Sequence, residues 1–417
     1  MIKRRHVIYV HGYDPQGPAG YYRLFEREWK KFKANWSVAS ELGKLEIESS
    51  DFAHWTIATS GPNWTVATRY DFLRYDDALL ANLAQPLYRQ VPRALRWLID
   101  DAASGATARI IRGTWRFWLH LFILQLGLLI WLALAVTAGG LAAYSVGTYL
   151  SAPLVIALLA AVVVAILAFL ALRPLAEGWF VIRVNNCWPY LREFGRGDAT
   201  CFDRPIEAGA ARLKAAVDAR DADEVVVMAH SGGGPLAPAI VARALALDPD
   251  LGRRGPRVVL MTLGSVMPAV ALHPKAQPLR DIIRRIATEP SIRWIDCQSR
   301  KDVMNFWDFD PVADIGVDVG AERHNPLIWP VRFRDIVSAR YYQRLRANFF
   351  RLHYQFIMSG DQRAAYDYFM LTCGPLPVEQ WATHGSDVLK EFSSDATYGG
   401  QASASPGMRA ELKASEG

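Results

Sequence analysis

A single serine lies between a histidine and three glycines at the end of an apolar run, VVVMAHSGGGP, which spans residues 225–235. The apolar residues 225–228 predict a buried strand, and a helical pattern begins near Pro235. A sharp turn between a parallel strand and a helix holds its central residue, here Ser231, above the carboxyl edge of the sheet, where ligands bind. Backbone N–H groups at the start of the helix can stabilise an oxyanion beside the hydroxyl. The small neighbours of Ser231 leave room for this chemistry, so the stretch predicts a nucleophilic serine.

A glycine-rich entry into a helix can also bind phosphate, which is the main alternative for this turn. The sequence contains no G-x-x-x-x-G-K-S/T motif, and no acidic residue stands where a dinucleotide ribose would need one. A second short strand, residues 7–10, ends at His11 and Gly12 in the segment HGYDPQGPAG. Taken alone, this segment is typical of any turn that ends a strand. The two strand ends together favour nucleophilic chemistry over phosphate binding.

These features resemble the α/β-hydrolase superfamily of serine esterases and lipases. The matching segments are residues 11–13 (HGY) after the first strand and residues 229–233 (AHSGG), followed by candidate acidic and histidine residues. Ala229 replaces the first glycine of the G-x-S-x-G turn of that family. The resemblance implies a Ser-His-Asp triad and an acyl-enzyme intermediate, with no cofactor and no metal. It does not extend to the long apolar stretch or to the C-terminal tail.

In this family, the oxyanion is held by the N–H of the residue after the nucleophile and by an N–H that follows an early strand. The corresponding residues are Gly232 and Tyr13. The acid follows a later strand, and the segment SIRWIDCQSRKDVMNF contains both Asp296 and Asp302. Asp296 falls within the predicted strand, whereas Asp302 falls in the loop beyond it and can reach over the sheet edge. The resemblance therefore favours Asp302 as the acid, with Asp296 as the alternative.

The base comes later in the chain, and three histidines qualify: His324, His353 and His384. His353 is favoured because its apolar and aromatic neighbours (FFRLHYQF) can exclude water. A histidine among aromatic residues is more often a packed structural residue, and only the serine and aspartate candidates support a catalytic role. His324 is the alternative, although its His-Asn-Pro sequence is typical of a surface turn. His230 lies next to the nucleophile and is expected to point elsewhere.

The longest apolar stretch has no Asp, Glu, Lys or Arg between Arg116 and Arg173. About 20 apolar residues in a helix cross the ~30 Å hydrocarbon core of a bilayer, so the stretch is long enough for two spans. We expect a transmembrane hairpin with spans at 117–137 and 151–172, joined by the loop 139–150. The alternative is a pair of helices buried within a soluble protein.

Basic residues flank this hairpin on both outer sides and are absent from its loop. They are Arg109, Arg112 and Arg116 before it and Arg173 and Arg183 after it. Cytoplasmic segments carry the excess of Lys and Arg, so the catalytic domain and both chain ends are expected in the cytoplasm. Trp115, Trp118 and Trp179 are expected at the membrane interface.

Outside the hairpin, short apolar strands alternate with helices. The predicted strands are 7–10, 225–228, 258–263 and 292–297, and the predicted helices include 21–36 and 235–247. Such strands are buried in parallel sheets, so the predicted fold class is α/β, with a mostly parallel, α/β-hydrolase-like sheet, helices on both faces and an inserted two-helix transmembrane hairpin. The predicted sections are two parts of the α/β domain (1–105 and 186–385), the hairpin (106–185) and a disordered tail (386–417).

The charge of the chain excludes some classes of partner. Its 417 residues carry 47 Lys and Arg against 41 Asp and Glu, with a pI near 9.1. This modest excess suits an anionic membrane surface, and no arginine-rich block with interleaved aromatic residues indicates nucleic acid. The aspartates of residues 301–318 match no calcium-binding loop, so no metal is expected.

The expected function is therefore hydrolysis of an acyl ester, lipid or lipid-like, by a membrane-anchored serine hydrolase. Its expected partners are that substrate and the bilayer, where lipids are already concentrated. A thioesterase, an amidase or an acyltransferase would use the same residues. A protein of another class, a membrane scaffold that kept the fold without activity, is the remaining alternative. Reaction of Ser231 with a fluorophosphonate separates an enzyme from a scaffold.

Overall fold

The computed structural model describes residues 1–178 and 181–399. These residues form the strands β1 (Arg4–Val10), β2 (Ala39–Leu42), β3 (Glu46–Ile47), β4 (Phe52–Gly61), β5 (Trp64–Leu73), β6 (Glu224–His230), β7 (Arg257–Leu263), β8 (Ile292–Gln298) and β9 (Leu327–Pro330). The first ten helices are α1 (Gly17–Trp36), α2 (Asp76–Leu83), α3 (Leu87–Ala103), α4 (Ala106–Gly113), α5 (Trp115–Tyr149), α6 (Leu154–Ala171), α7 (Arg173–Gly178), α8 (Val181–Arg196), α9 (Asp203–Ala219) and α10 (Leu236–Leu247). The remaining helices are α11 (Met267–Ala271), α12 (Gln277–Ala287), α13 (Phe333–Ile336), α14 (Ala339–Leu345), α15 (Phe349–Tyr354), α16 (Tyr368–Cys373), α17 (Val378–His384) and α18 (Ser386–Lys390).

The strands form one sheet in the order β2-β4-β5-β1-β6-β7-β8-β9, with β3 paired to β4. From β5 to β9 in this order, neighbouring strands pair in parallel, and this part contains every strand predicted from the sequence. β2, β3 and β4 add an antiparallel extension at the β5 edge. The chain is therefore an α/β protein with a mixed sheet, and the predicted parallel arrangement holds for part of that sheet.

Helices cover both faces of the parallel part, as predicted. In β1, Ile8 and Val10 join one apolar cluster, whereas Val7 and Tyr9 join another on the opposite face. The first cluster packs under α3, α8, α9, α10 and α12, and the second packs under α1, α16 and α17. Strands that are buried on both faces have continuous apolar sequences, which explains why β1, β6 and β7 could be identified in the sequence.

β1 and β6 lie side by side in the middle of the sheet, with Val10 opposite Ala229. Their outer neighbours are β5 on one side and β7 on the other. After β1 the chain passes to the β2 edge and returns through β4 and β5, and after β6 it builds outwards on the other side through β7, β8 and β9. The direction of the strand order therefore changes at this pair, where a crevice opens beyond the carboxyl ends of the two strands. Tyr13 follows β1, Ser231 follows β6, and both line one cavity at this crevice.

α5 and α6 are long and apolar enough to cross a membrane. The mean hydropathy is 2.4 for Trp115–Tyr149 and 3.2 for Leu154–Gly178, which combines α6 with α7. Only 22% of the most apolar stretch of the first helix and 6% of that of the second are buried. Within the described residues, the apolar surface of both helices is therefore largely uncovered by protein.

The first arm of this hairpin is longer than predicted. Residues 139–150 were expected to form a loop, but α5 continues through them to Tyr149, and the turn is confined to residues 150–153. α6 packs so closely on Gly139 that a β-carbon there would lie 2.5 Å from the Ala161 carbonyl oxygen. Because this packing stabilises the helix at Gly139, the low helix propensity of that glycine does not end α5.

The other end of α5 packs into the α/β domain. Phe117 and Leu121 are buried in the same apolar cluster as Trp188 of α8. The rings of Phe117 and Trp188 meet edge to face, with centroids 5.5 Å apart. The first residues of the predicted span 117–137 are therefore part of the domain core. Trp179, expected at the membrane interface, lies outside the described residues.

Gly139→Leu is expected to destabilise the hairpin, because the leucine would collide with α6 at Ala161 and Ala165. Overpacking of this kind costs about 1–3 kcal/mol. Gly140→Leu is the matched control, since a β-carbon at Gly140 meets nothing within 4 Å. Thermal unfolding in detergent should show a lower midpoint for Gly139→Leu and an unchanged or higher midpoint for Gly140→Leu. Equal midpoints would contradict the close packing of α5 on α6.

The last predicted section, residues 386–417, is ordered in its first part, contrary to the prediction. It contains α18, and Phe392 packs against Trp36 and Trp381. A polar composition predicted disorder here, but a few aromatic contacts with α1 and α17 are sufficient to hold the segment. The rest of the predicted tail, residues 400–417, lies outside the described residues.

Candidate active site

Ser231 occupies a strained turn directly after β6. Every residue of β6 is buried, and the chain then enters a short 3-10 turn and α10. Ser231 has a φ of 56°, in the left-handed region that costs free energy for residues other than glycine. Its carbonyl oxygen accepts hydrogen bonds from the N–H groups of Gly234 at 3.0 Å and Val266 at 3.4 Å. These bonds stabilise the turn and leave the hydroxyl side chain half-buried at the sheet edge.

The glycines after Ser231 allow the segment that follows β1 to approach closely. A β-carbon at Gly233 would lie 2.5 Å from the His11 carbonyl oxygen. A β-carbon at Gly232 would lie 3.0 Å from the Tyr13 backbone nitrogen. Larger residues would push this segment away from the nucleophile. The glycines therefore bring together the backbone of Tyr13 and Gly232, the two predicted oxyanion donors.

A buried histidine holds the backbone that precedes Tyr13. His11 Nδ1 donates a hydrogen bond to the Gly12 carbonyl oxygen at 2.7 Å. Its ring stacks on Tyr75 with centroids 4.0 Å apart, and the Tyr75 hydroxyl donates to the His11 carbonyl oxygen. Burial lowers the pKa of His11 to about 4, so the imidazole is neutral near pH 7. These contacts fix the loop and add no charge to it.

Asp302 and His353 form a buried pair. Asp302 lies in the loop after β8, and His353 lies on α15. His353 Nδ1 donates to Asp302 Oδ2 at 2.6 Å, and the two side chains are 2% and 0% exposed. A proton on Nδ1 makes Nε2 an acceptor, and Nε2 is buried with no hydrogen-bond partner among the described residues. An imidazole in this state is able to act as a general base.

Ser231 and His353 line the same cavity, which has a volume of about 270 Å³ and also contains Tyr13. The fold therefore brings the predicted nucleophile, base and oxyanion loop to one place, and Asp302 orients the base from behind. A hydroxyl, an imidazole held in one tautomer and backbone donors are the groups that acyl transfer requires.

The alternative acid and bases lie elsewhere. Asp296 is inside β8, where it accepts hydrogen bonds from the Thr262 hydroxyl and the Gln298 amide. Burial raises the pKa of Asp296 to about 6. His324 lines a separate polar cavity at the amino ends of β7 and β8, and His384 lies at the exposed end of α17. The carboxylate that holds a histidine at the Ser231 cavity is that of Asp302.

His230 lines the Ser231 cavity, although it was expected to point elsewhere, and it supports the helix that carries His353. Its Nε2 donates to the His353 carbonyl oxygen at 3.1 Å, and the two rings lie 4.6 Å apart. Burial lowers the pKa of His230 well below its usual value, so this ring is also neutral. With its proton engaged by the backbone of α15, His230 positions the helix that carries His353.

Polar residues that the sequence did not indicate line the His353 side of the cavity. They are Asp14, Gln16, Arg183 and Tyr354. The Tyr354 hydroxyl donates to the Asp14 carboxylate, and the Gln16 amide donates to the same carboxylate at 2.6 Å. Burial raises the pKa of Tyr354, so its hydroxyl remains a donor. Asp14 directly follows Tyr13, which was the one feature of the sequence that could have identified it.

A smaller cavity of about 110 Å³ also adjoins Ser231. Its walls are mostly apolar and come largely from α5 and α8: Phe117, Leu121, Val184, Trp188 and Leu191. Ser231 and Gly232 line this cavity, whereas His353 does not. The apolar pattern of residues 117–137 predicted a membrane span and gave no indication that its first turns form a wall of the site.

One group of possible metal ligands occurs within residues 1–178 and 181–399, formed by Glu48, His54 and Asp71 with ligand atoms within 4.8 Å of one another. Arg69 and Arg212 form ion pairs with Glu48 and Asp71. Because two guanidinium groups already neutralise these carboxylates, the cluster does not favour a cation. It contributes none of the residues that line the Ser231 cavity.

The chain matches no family model and no curated protein in sequence, and no solved structure in fold. The function can therefore be inferred only from the chemistry of Ser231, His353 and Asp302 and of the cavities around them.

Proposed function

We propose that this protein is a membrane-anchored serine hydrolase of the α/β-hydrolase superfamily that cleaves an acyl ester, lipid or lipid-like. The observation that carries the proposal is the buried Asp302–His353 pair, whose histidine lines the cavity that Ser231 also lines. A histidine held by a buried carboxylate, at a cavity shared with a hydroxyl on a strained turn, is the arrangement of a Ser-His-Asp triad.

In the proposed reaction, the Ser231 oxygen bonds to the ester carbonyl carbon while His353 Nε2 takes the hydroxyl proton. Asp302 stabilises the imidazolium that forms. The N–H groups of Tyr13 and Gly232 donate to the oxyanion, each worth on the order of 3 kcal/mol of the barrier. The alcohol then leaves with the proton from Nε2. Water attacks the acyl-enzyme, gives its proton to Nε2, and the free acid is released as the serine recovers its hydrogen.

The order of the elements supports the family assignment. The nucleophile follows β6, the acid follows β8, and the base lies further along on α15. Ser, Asp and His occur in this order in α/β-hydrolases. The parallel part of the sheet, covered by helices on both faces, is the scaffold on which such sites are built.

The exposure of α5 and α6 supports the membrane anchor. A soluble protein would bury helices of this hydropathy, but most of their apolar surface is uncovered. Arg116 and Arg173 lie at the two outer ends of the hairpin, and its turn carries no charged residue. By the positive-inside rule, the proposed location of the α/β domain and of both ends of the chain is the cytoplasmic side.

Two other functions fit the same residues. A thioesterase, amidase or acyltransferase differs in the leaving group or acceptor, which rates on matched esters, thioesters and amides would reveal. A scaffold would bind a partner through the α/β domain and would have no reactive serine. The pairing of His353 with Asp302 at the Ser231 cavity favours an enzyme, because a scaffold does not need this arrangement.

A fluorophosphonate tests the proposal on the full-length protein in detergent. The Ser231 oxygen should bond to phosphorus as fluoride leaves, giving a mass shift on the peptide that contains Ser231. Ser265→Ala is a matched control, since this nearby buried hydroxyl accepts from the Met267 N–H and has no proposed catalytic role. Labelling should persist in Ser265→Ala and disappear in Ser231→Ala. Labelling that persists equally in Ser231→Ala, or no labelling of the wild type, would favour the scaffold.

A further inference from the structure

We infer, on the basis of the proposed hydrolase activity, that the substrate is an ester of a short acyl group with a larger, polar alcohol. The acyl group binds in the apolar cavity between α5 and α8, which we call the acyl cavity, and the alcohol binds in the cavity that contains His353, which we call the alcohol cavity. The first turns of α5, where the apolar hairpin joins the α/β domain, thereby help to select the acyl group of the substrate.

The position of His353 indicates which cavity binds the alcohol and which binds the acyl group. In the acylation step, His353 passes its proton to the alcohol oxygen, so the alcohol has to lie on the His353 side of Ser231. The 270 Å³ cavity is lined by both residues. The 110 Å³ cavity shares lining residues with it, namely Tyr13, Arg183, Ser231, Met304 and Phe350, but it is not lined by His353. It therefore takes the part of the substrate on the other side of the carbonyl carbon, which is the acyl group.

The volume of the acyl cavity limits the length of the acyl group. A dry cavity of about 150 Å³ holds one benzene molecule, which has six non-hydrogen atoms. At about 110 Å³, the acyl cavity has room for roughly four carbon atoms on the same scale. Its walls are rigid, because Phe117, Leu121 and Trp188 are 1%, 4% and 6% exposed and pack in the domain core.

Contacts between α5 and α8 close the route along these helices beyond the acyl cavity. The Asn185 side chain donates to the Leu124 carbonyl oxygen at 3.2 Å, one turn past Leu121. One turn further, a β-carbon at Gly127 would lie 2.9 Å from Val181 Cγ2. A fatty acyl chain would have to separate the two helices to extend in this direction.

The alcohol cavity is larger, and one part of its otherwise largely apolar lining is polar. Asp14, Gln16 and Tyr354 form a hydrogen-bonded group on its wall, and Arg183 lines it as well. A substrate hydroxyl can donate to the carboxylate or accept from the side chains around it. An alcohol that carries a polar group on this side therefore fits better than a purely aliphatic one. For an enzyme held at the bilayer, the fitting substrate is an acylated polar headgroup at the membrane surface, not the fatty acyl chain of a lipid.

A series of 4-methylumbelliferyl esters tests the length limit, because the leaving group is constant and the acyl group is acetyl, butyryl, octanoyl or palmitoyl. For the full-length protein in detergent, kcat/KM should fall by about tenfold or more from butyrate to octanoate, as expected when methylenes no longer fit a pocket. Equal kcat/KM for butyrate and octanoate would overturn the acyl cavity and leave the hydrolase proposal standing, provided that the fluorophosphonate labels Ser231.

Two variants locate the limit in the acyl cavity. Leu121→Ala enlarges it and should raise the ratio of octanoate to butyrate rates by about tenfold. Val184→Phe, at a half-buried wall position, narrows it and should slow butyrate more than acetate. Leu119→Ala is the control, since Leu119 is 39% exposed on the same helix and does not line the cavity. Unchanged length preference in both Leu121→Ala and Val184→Phe would overturn the inference.

Fluorophosphonate labelling of each variant shows whether its catalytic serine is intact. If Leu121→Ala or Val184→Phe is misfolded and does not label, the length preference of the other variant tests the inference. Absence of labelling in the wild type would remove both the hydrolase proposal and the inference built on it. Labelling together with a length preference that shifts in Leu121→Ala and stays constant in Leu119→Ala supports both. The hydrolase proposal and the acyl-length inference are therefore contradicted by different results.

Discussion

Ser231→Ala is expected to lower kcat/KM for ester hydrolysis by about 10⁴- to 10⁶-fold, the loss seen when a triad nucleophile is removed. Alanine lacks the oxygen that forms the acyl-enzyme, so His353 has no hydroxyl from which to take a proton. The oxyanion donors remain, and they account for the small residual rate. Steady-state hydrolysis of a short ester by protein in detergent measures the effect.

The fold should tolerate this change, because the Ser231 hydroxyl is half-buried. Alanine still accepts the left-handed turn at about the same strain as serine. Equal thermal midpoints for wild type and variant would show that the lost activity is chemical in origin. Residual activity above a tenth of the wild-type value would mean that another group is the nucleophile, and the proposed mechanism would fall.

Asp302→Asn is expected to lower kcat/KM by about 10⁴-fold at neutral pH, the effect of replacing the acid of such a triad with its amide. The carboxylate accepts the proton of His353 Nδ1 at 2.6 Å. An amide group can turn its NH₂ towards Nδ1, which moves the ring proton to Nε2 and removes the base. The loss should not add to that of Ser231→Ala, because the three residues act as a unit.

Asp296→Asn is the matched control, since it changes the other candidate acid in the same way. Asp296 accepts hydrogen bonds from Thr262 and Gln298 and contacts no histidine in the described chain. Its amide retains an oxygen acceptor, so activity is expected to change by less than about tenfold. Measuring kcat/KM and the thermal midpoint of both variants separates catalysis from folding. A larger loss of activity in Asp296→Asn than in Asp302→Asn would reverse the assignment of the acid.

The parallel strands could be predicted because each is a continuous apolar run. β6 and β7 are buried on both faces, and the prediction of each differs from the structure by one or two residues at an end. The turn at Ser231 was equally clear, because small residues after a buried strand have few structural explanations. These are local patterns, and they predict the structure correctly because the residues that form each strand are also the residues that it buries in the core.

The antiparallel extension was missed for a different reason. β4 and β5 alternate buried and exposed residues and are joined by a two-residue connection, Pro62-Asn63, which is a hairpin pattern. The ordered segment at Phe392 gave no such pattern, because its order comes from Trp36 and Trp381, which are distant in sequence.

The sequence by itself determined the apolar hairpin, the parallel strands and the serine at the end of β6, because each depends on the composition of one continuous stretch. Only the tertiary structure shows that Asp302 is paired with His353, while Asp296 and His324 lie elsewhere, since it is the fold that brings the loop after β8 to α15. It also decided that the first turns of α5 form a wall beside Ser231. Contacts between distant segments depend on how helices pack on the sheet, and hydrophobic periodicity records which face of an element is buried but not which element covers it.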